Sequence, residues 1–345
     1  MKAEPVAIIA NDIHLNNDNG ELVKYIFDQL SNVCKKYKVD YLLIGGDLFT
    51  NRIGQPLDTL LNVGDVIEDY REKGLTIHII PGNHDKTDSD SKKSYLHVYK
   101  SDNFKVHDRL KYVNIDSVCF TFIPYFSDEV WLKEFKKAKL MPGKRNVMIT
   151  HMGFDGVVNN DGTRVSSSIK PSMFAKYDLV LIGHYHNASR LAKNVIYTGS
   201  AYQNNFGENI TDKGCHVIYS DASIKFVPLV FPKYIKEVVN INDSVTINNL
   251  IEKYAGDEEN FIRFVFRGRK SDFDKSKISQ AELSKMGIDF KFEADEQTEA
   301  INIAENLENL NYDKVDLKKH FLKFCASQEI KGERLKLGLE LLKEL

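Results

Sequence analysis

Cysteine is scarce and never paired: Cys34, Cys119, Cys215 and Cys325 stand far apart, with no CxxC spacing. That excludes a disulfide-stapled framework and leaves four thiols suited to a reducing compartment. Long apolar runs are missing too. Nothing approaches the ~18 consecutive apolar residues of a membrane span, so no membrane partner is expected. Met1-Lys2-Ala3-Glu4-Pro5 leads directly into a strand without the apolar core of a secretion signal, and a cytoplasmic location follows as the expectation. Neither sign of charge dominates, since 47 Lys and Arg face 49 Asp and Glu for a net −2. The chain is therefore no global polycation of the kind that marks nucleic-acid binding. Bound divalent cations would add local positive charge that this count omits. Internal repeats and low-complexity tracts are also absent.

What is present is an ordinary soluble composition, 42% hydrophobic and 28% charged over 345 residues, enough for one large domain and smaller appendages. Val6–Ala10, Tyr41–Ile44 and Thr76–Ile80 are short apolar runs bounded by Gly, Asp or Asn and predict buried strands. Between them, residues 21–37 carry Val23, Ile26, Phe27, Leu30 and Val33 at helical spacing, and residues 56–73 carry Leu57, Leu60, Leu61 and Val66. This alternation predicts right-handed crossovers and a parallel sheet. The later runs 118–124, 146–150, 179–182 and 195–198 follow with fewer helices and predict a second sheet packed on the first. Beyond Pro232 the order strand, helix, strand, helix, strand predicts a small α+β domain over 233–295. An acidic stretch, 296–314, reads as a linker, and 315–345 as a tail of two amphipathic helices.

Five apolar runs end in metal-seeking side chains: Asn11-Asp12-Ile13-His14, Gly45-Gly46-Asp47, Gly82-Asn83-His84-Asp85, Thr150-His151 and Gly183-His184-Tyr185-His186. Groups beyond the carboxyl ends of neighbouring strands converge in space however far apart they lie in sequence. An Asp at a strand end is commonplace by itself. GNHD is more telling, because one tight turn presents an amide, an imidazole and a carboxylate. Together Asp12, His14, Asp47, Asn83, His151, His184 and His186 suffice for two ions sharing the Asp47 carboxylate, with His84 and Asp85 to spare. Mixed oxygen and nitrogen donors suit Mn²⁺, Fe²⁺ or Zn²⁺ better than Mg²⁺ or Ca²⁺. Two such ions, about 3.5–4 Å apart, would clamp a phosphate and activate water for in-line attack.

The series DxH, GD, GNHD, lone H and GHxH resembles the calcineurin-like metallophosphoesterase superfamily over residues 1 to about 230. Within it, GGDLF followed by GNHD, the small domain and the helical tail resemble the SbcD-type nuclease subunit of double-strand-break repair and phage recombination. The resemblance implies a two-sheet sandwich flanked by helices, with a small α+β capping domain and a C-terminal helical tail. It places one ion on Asp12, His14, Asp47 and His186, and the other on Asp47, Asn83, His151 and His184. His84 is implied to stabilise the transition state and protonate the leaving oxygen, with Asp85 orienting its ring. The activity implied is a Mn²⁺-dependent 3′–5′ exonuclease on duplex DNA with endonuclease action on single strands. The implied partners are DNA, a second copy of the chain, and an SbcC-like ABC ATPase held by residues 315–345 in a heterotetramer. One departure stands out: nucleases of this group often carry His soon after GDLF, whereas this chain has Thr50-Asn51-Arg52.

Other features keep two readings open. Arg52 can contact a phosphate. Residues 263–277, with Arg263, Arg267, Arg269 and Lys270 among phenylalanines, form either a DNA-backbone contact or a solvated face. The Gly-, Asn- and Ser-rich loop 153–168 either borders the substrate or is an ordinary surface loop. The apolar stripes of the tail pack on a core or in a partner's groove. His78, His97, His107, His216 and His320 fit packing or surface roles. Two other activities compete with the nuclease reading: a phosphomonoesterase or cyclic-nucleotide phosphodiesterase, and a non-catalytic scaffold of the same fold.

Overall fold

Four strands of one sheet stop level with each other, which brings the segments that follow them to one edge. The computed structural model describes residues 3–16, 18–155, 157, 165–208, 210–268 and 280–293, together with positions 321, 322, 325 and 339. Strands β1 (Pro5–Ala10), β2 (Tyr41–Ile44), β3 (Thr76–Ile79) and β4 (Phe104–Val106) are parallel neighbours. Ala10 pairs with Ile44, Ile44 with Ile79, and Ile79 with Val106. In the second sheet β5 (Lys111–Ile115) lies antiparallel to β6 (Val118–Ile123), which is followed in parallel by β7 (Arg145–His151) and β8 (Leu179–Gly183). The edge is closed by β9 (Ser189–Ala192) antiparallel to β10 (Val195–Tyr197), itself parallel to β8.

The expectation of a wholly parallel first sheet needs correction. The hairpin of β11 (Gly214–Tyr219) and β12 (Ile224–Pro228) returns beside β1, and β11 is antiparallel to it. The two orders are β12-β11-β1-β2-β3-β4 and β5-β6-β7-β8-β10-β9. Helices supply most of the parallel crossovers in the first sheet, but a hairpin needs only a tight turn and can join any open edge.

Alternation along each strand builds the layers. Ala7 and Ile9 of β1 face the second sheet, packing with Leu43, Phe120, Phe122, Val147 and Ile149. Ile8 and Ala10 face outward under α1 (Gly20–Tyr37) and α2 (Leu57–Glu72). On the far side, Met148, Val180 and Ile182 pack with Trp131 of α3 (Asp128–Lys137) and with Phe154 and Phe174. Each fully buried Ile or Phe contributes about 1.5–3 kcal/mol by leaving water. Trp131 donates its indole N–H to Thr150 Oγ1 at 2.9 Å, tying α3 to β7. The chain is therefore a two-sheet α/β sandwich flanked by helices.

Helix α1 buries the expected stripe, Val23, Ile26, Phe27, Leu30 and Val33. Helix α2 does not. Its Leu57 and Leu61 are exposed, and its buried face is Thr59, Val63, Val66, Ile67 and Tyr70. Tyr70 fixes that rotation, its hydroxyl donating to the Phe27 carbonyl at 2.7 Å.

The chain divides into two compact units, one of Met1–Ile235 with Asp257–Ile262, the other of Lys236–Gly256 with Arg263–Leu345. A three-stranded sheet belongs mainly to the second: β13 (Tyr234–Asn240), β14 (Phe261–Arg267) and β15 (Ile288–Glu293). Helices α4 (Ser244–Tyr254) and α5 (Gln280–Lys285) connect them in the expected alternation. Asp243 caps α4 by accepting the Thr246 N–H at 3.0 Å. The expected linker 296–314 and nearly all of the tail 315–345 lie outside the described residues. Among the described residues, no helix is long and apolar enough to cross a membrane.

Candidate metal centre

Beyond β1 and β2 the chain continues as two hydrogen-bonded loops. Asp12 N donates to the Gly46 carbonyl (3.1 Å), His14 N to Asp47 (3.1 Å) and Leu15 N to Leu48 (2.8 Å). Asn11 locks their start, its Oδ1 accepting from Gly45 N (2.7 Å) and its Nδ2 donating to Thr198 Oγ1 (2.6 Å). The ligand-bearing residues turn sharply: Asp12, His14 and Asp47 have φ of 53°, 52° and 55°, in the left-handed region that costs most side chains energy. Gly46 (φ 103°) and Gly82 admit the closest approaches. A Cβ on Gly46 would lie 2.4 Å from His151 Nδ1, and one on Gly82 2.1 Å from Asp47 Oδ1.

The side chains gather into two groups whose ligand atoms lie within 4.8 Å of one another: Asp12, His14 and His186, and Asp47, His151 and His184. A further set, His14, Asp47 and His84, meets the same criterion and joins the two. Asn83 belongs with the second group, its Oδ1 being 3.0 Å from His151 Nε2 and 2.9 Å from His184 Nδ1. Asp12 and His151 are fully buried, while the others border a cleft of about 1140 Å³.

Hydrogen bonding within the group makes the case for a cation. His151 donates its Nδ1–H to the Gly45 carbonyl at 2.9 Å. A neutral ring then turns only the Nε2 lone pair towards Asn83 Oδ1 and towards Asp47 Oδ2 at 3.2 Å. His186 likewise donates Nδ1–H to Glu208 Oε1 at 2.7 Å, so its Nε2 lone pair faces His14 Nε2 at 2.9 Å. The His186 lone pair can accept an Nε2–H from a neutral His14, but the lone pairs meeting at His151 repel unless a proton or a metal ion sits between them. The donor set fits a pair of divalent ions.

The acid–base character agrees. Burial opposes charge on His151, but the Asp47 carboxylate outweighs it and lifts the ring to about 9. Asp47 is held well below the usual carboxylate range, because His151 and His14 outweigh its burial. Burial pushes His14 and His184 down to about 3, leaving them neutral and ready to donate a lone pair. Asp12 is pushed up to about 6 by burial, with the Asp47 charge adding to it.

His84 and Asp85 divide their work differently from the expectation. The His84 Nδ1–H donates to the Thr50 carbonyl at 2.5 Å, and its backbone N–H to Asp47 Oδ1 at 2.8 Å. Asp85 does not orient that ring. Its carboxylate accepts the backbone N–H groups of Asp47 (2.9 Å), Gly82 (2.8 Å) and Phe49 (3.0 Å), stapling the GNHD turn to the GGD loop. Burial and the Asp47 charge push Asp85 up to about 7 against those three donors. Thr50, where the expected histidine is missing, therefore holds the His84 ring through its backbone. Its hydroxyl donates to the His14 carbonyl at 2.6 Å.

Sequence reasoning missed Glu208. It is buried, lies 22 positions after His186, and belongs to no recognisable motif. Lys213 Nζ (3.1 Å), Asn204 N (3.1 Å), Asn205 Nδ2 (2.9 Å) and Ser200 Oγ (3.3 Å) also bond its carboxylate. The only available signal was the lone acid in the stretch Gln203–Glu208. Tyr125, stacked 6.1 Å from the His184 ring, was also missed.

The cationic candidates fare less well. Arg263 pairs with Asp289 at 2.6 Å and Arg267 faces Glu293 at 3.7 Å, so β15 supplies counter-charges to the two described arginines of the expected basic face. Arg269 and Lys270 lie outside the described residues. Arg52 is exposed but does not line the cleft. His78 and His107 form a buried pair, Nδ1 to Nε2 at 2.9 Å, and His97 bonds Asp108 at 3.0 Å, in keeping with packing and surface roles.

Residues 6–188 match the family described as calcineurin-like phosphoesterase, more than half of the chain. The chain belongs to that family. Among individual proteins, 078R of Invertebrate iridescent virus 3, provisionally named a phosphoesterase, is 22% identical over 77% of this chain and 77% of its own. The SbcD component of the SbcCD nuclease of Staphylococcus saprophyticus is 24% identical, covering 70% of this chain and 71% of its own. Exonuclease subunit 1 of Enterobacteria phage T4 is 25% identical over 58% and 59% respectively.

Proposed function

We propose that the chain is a Mn²⁺-dependent DNA nuclease subunit, cutting duplex ends with 3′–5′ polarity and single strands internally, in recombination and repair in the cytoplasm. The observation that carries a phosphodiester hydrolase is the pair of ligand groups meeting at Asp47 on an open cleft. Asp12, His14, Asp47 and His186 would hold one ion, and Asp47, Asn83, His151 and His184 the other. When bound, the ions supply a clamp for the phosphate and activation of water. Glu208 keeps the His186 lone pair on Nε2, and Gly45 does the same for His151. Asp85 holds the backbone that carries Asp47 and Asn83. With Nδ1–H committed to Thr50, His84 can carry a second proton on Nε2 and release it to the leaving oxygen.

The relatives named as nuclease and exonuclease subunits support a nuclease that works with a partner subunit. In our reading the substrate is DNA, the partner is an ABC ATPase docked by 315–345, and a homodimer lies at the centre of the assembly. Purified chain with Mn²⁺ should degrade linear duplex DNA, and Asp47→Ala should abolish it. Hydrolysis of cyclic nucleotides with intact DNA would instead favour the small-molecule reading. Loss of copurification with the ATPase on deleting 315–345 is the expected partner result.

A further inference from the structure

We propose that Phe261 and Tyr234 form a stacking platform for a nucleobase at the rim of the metal cleft. The inference needs only a nucleotide phosphoester as substrate, and so deepens the reading above without requiring a polymer. The two rings stack with centroids 4.5 Å apart and planes 18° from parallel, and Phe206 meets Tyr234 edge-on at 5.0 Å. Phe261 is 47% exposed. Both rings line the same cleft as His14, His84 and His186.

The platform is held rigidly. Gln203 clasps the Tyr234 backbone from both sides, accepting its N–H at 2.8 Å and donating to its carbonyl at 3.0 Å. The same Gln203 side chain donates to the Glu208 carbonyl at 3.0 Å. The rings are thus anchored to the residue that orients His186. A preorganised aromatic surface loses little entropy on binding.

Cleft chemistry explains the need for such a surface. Among the described residues lining it, Lys24 is the one lysine or arginine, against Asp18, Glu21 and Asp65 besides the metal-binding Asp47. Away from the metal centre the walls therefore repel phosphates. Asn204 and Asn205 line the cleft as neutral amides, able to bond a base edge or a sugar. Affinity for the rest of a nucleotide must come from uncharged contacts, and a base stacked on aromatic rings provides one.

The test is equilibrium binding, with Mn²⁺ present and phosphorothioate linkages to prevent hydrolysis, of a single-stranded oligonucleotide carrying 2-aminopurine and of its abasic counterpart. Wild type should bind the base-bearing strand roughly 5- to 150-fold more tightly than the abasic one and quench the probe. Phe261→Trp should preserve that ratio. Phe261→Leu, which keeps apolar bulk without a π-face, should reduce it towards one, with an unchanged thermal transition reporting intact folding. Equal binding of both strands by wild type, or an undiminished ratio in Phe261→Leu, overturns the platform. Degradation of DNA in Mn²⁺ despite equal binding would leave the nuclease reading standing. A cyclic mononucleotide in the same assay distinguishes the source of the base. Phe261-dependent binding of the mononucleotide with none of the strand would keep the platform and sink the nuclease reading.

Discussion

Replacing Glu208 with Gln tests whether a residue that touches no metal sets the affinity of the centre. The exchange keeps size and shape but removes the charge that burial alone would suppress. Hydrogen bonding to His186 and the charges of His186 and Lys213 hold the carboxylate below its usual range in spite of that burial. His186 is raised, its burial outweighed by the Glu208 hydrogen bond and by the charges of Asp12 and Glu208. With Gln the imidazole becomes a weaker donor and its tautomer is less firmly fixed. Partners of this type are worth roughly 10- to 100-fold in metal affinity, or about 1.4–2.8 kcal/mol. Lys213 is meanwhile left buried with only Asp212, at 3.7 Å, as a counter-charge. Breaking a buried pair costs about 3–5 kcal/mol, and Asp212 should hold this one to the lower end. Titration calorimetry of Mn²⁺ into metal-stripped protein should show the Asp12–His14–His186 site weakened and the other nearly intact, alongside a lower Tm. The double variant Glu208→Gln with Lys213→Met should regain stability without regaining affinity. A folded Glu208→Gln protein whose Mn²⁺ isotherm superimposes on that of wild type would refute the reasoning.

Two further perturbations probe other parts of the scaffold. Gly82→Ala drives a methyl group to 2.1 Å from Asp47 Oδ1, so bound Mn²⁺ should fall below two per chain and stability by about 1–3 kcal/mol; normal metal content by mass spectrometry would show that the two loops can part without penalty. The buried His78–His107 pair is pushed down to about 4 and about 3 by burial, so both rings stay neutral in the fold while the unfolded chain takes up protons below about 6.5. Their stability contribution is complete above that pH and drains as pH falls towards the folded values, by up to about 1.4 kcal/mol per pH unit for each ring. Urea denaturation between pH 7.5 and 5.5 should therefore give a shallower pH slope for His78→Phe than for wild type, and matching slopes would count against the assignment.

The candidate ligands were legible because strand, donor and turn are encoded within a few residues. Apolar runs ending in NDIH, GGD, GNHD, TH and GHYH announce both the sheet edge and the donor atoms. What escaped notice depended on distance or rotation. Asp85 adjoins His84 in sequence, yet the tight turn points its carboxylate at three backbone amides instead. Glu208 reaches His186 from a loop with no periodicity, and only the folded chain brings them together. Leu57 and Leu61 gave α2 a plausible stripe, but the Tyr70 hydroxyl bonded to Phe27 selects another face. The hairpin 214–228 lies more than 200 residues from β1, and nothing local signals that pairing. Arg263 and Arg267 looked like a basic patch because Asp289 and Glu293 are remote along the chain and adjacent across the sheet.

The left-handed backbone at Asp12, His14 and Asp47 carries a consequence for laboratory evolution. An ordinary L side chain gives up about 1–2 kcal/mol there that glycine does not, and Asp and His give up less. A campaign selecting for heat resistance alone, in metal-free medium, would test glycine first at His14, because Asp12 and Asp47 accept the His184 and His84 backbone N–H groups and their loss leaves buried donors unpaired. Its winners would be sturdier and chemically empty, so any such selection has to keep Mn²⁺ in the medium at every round.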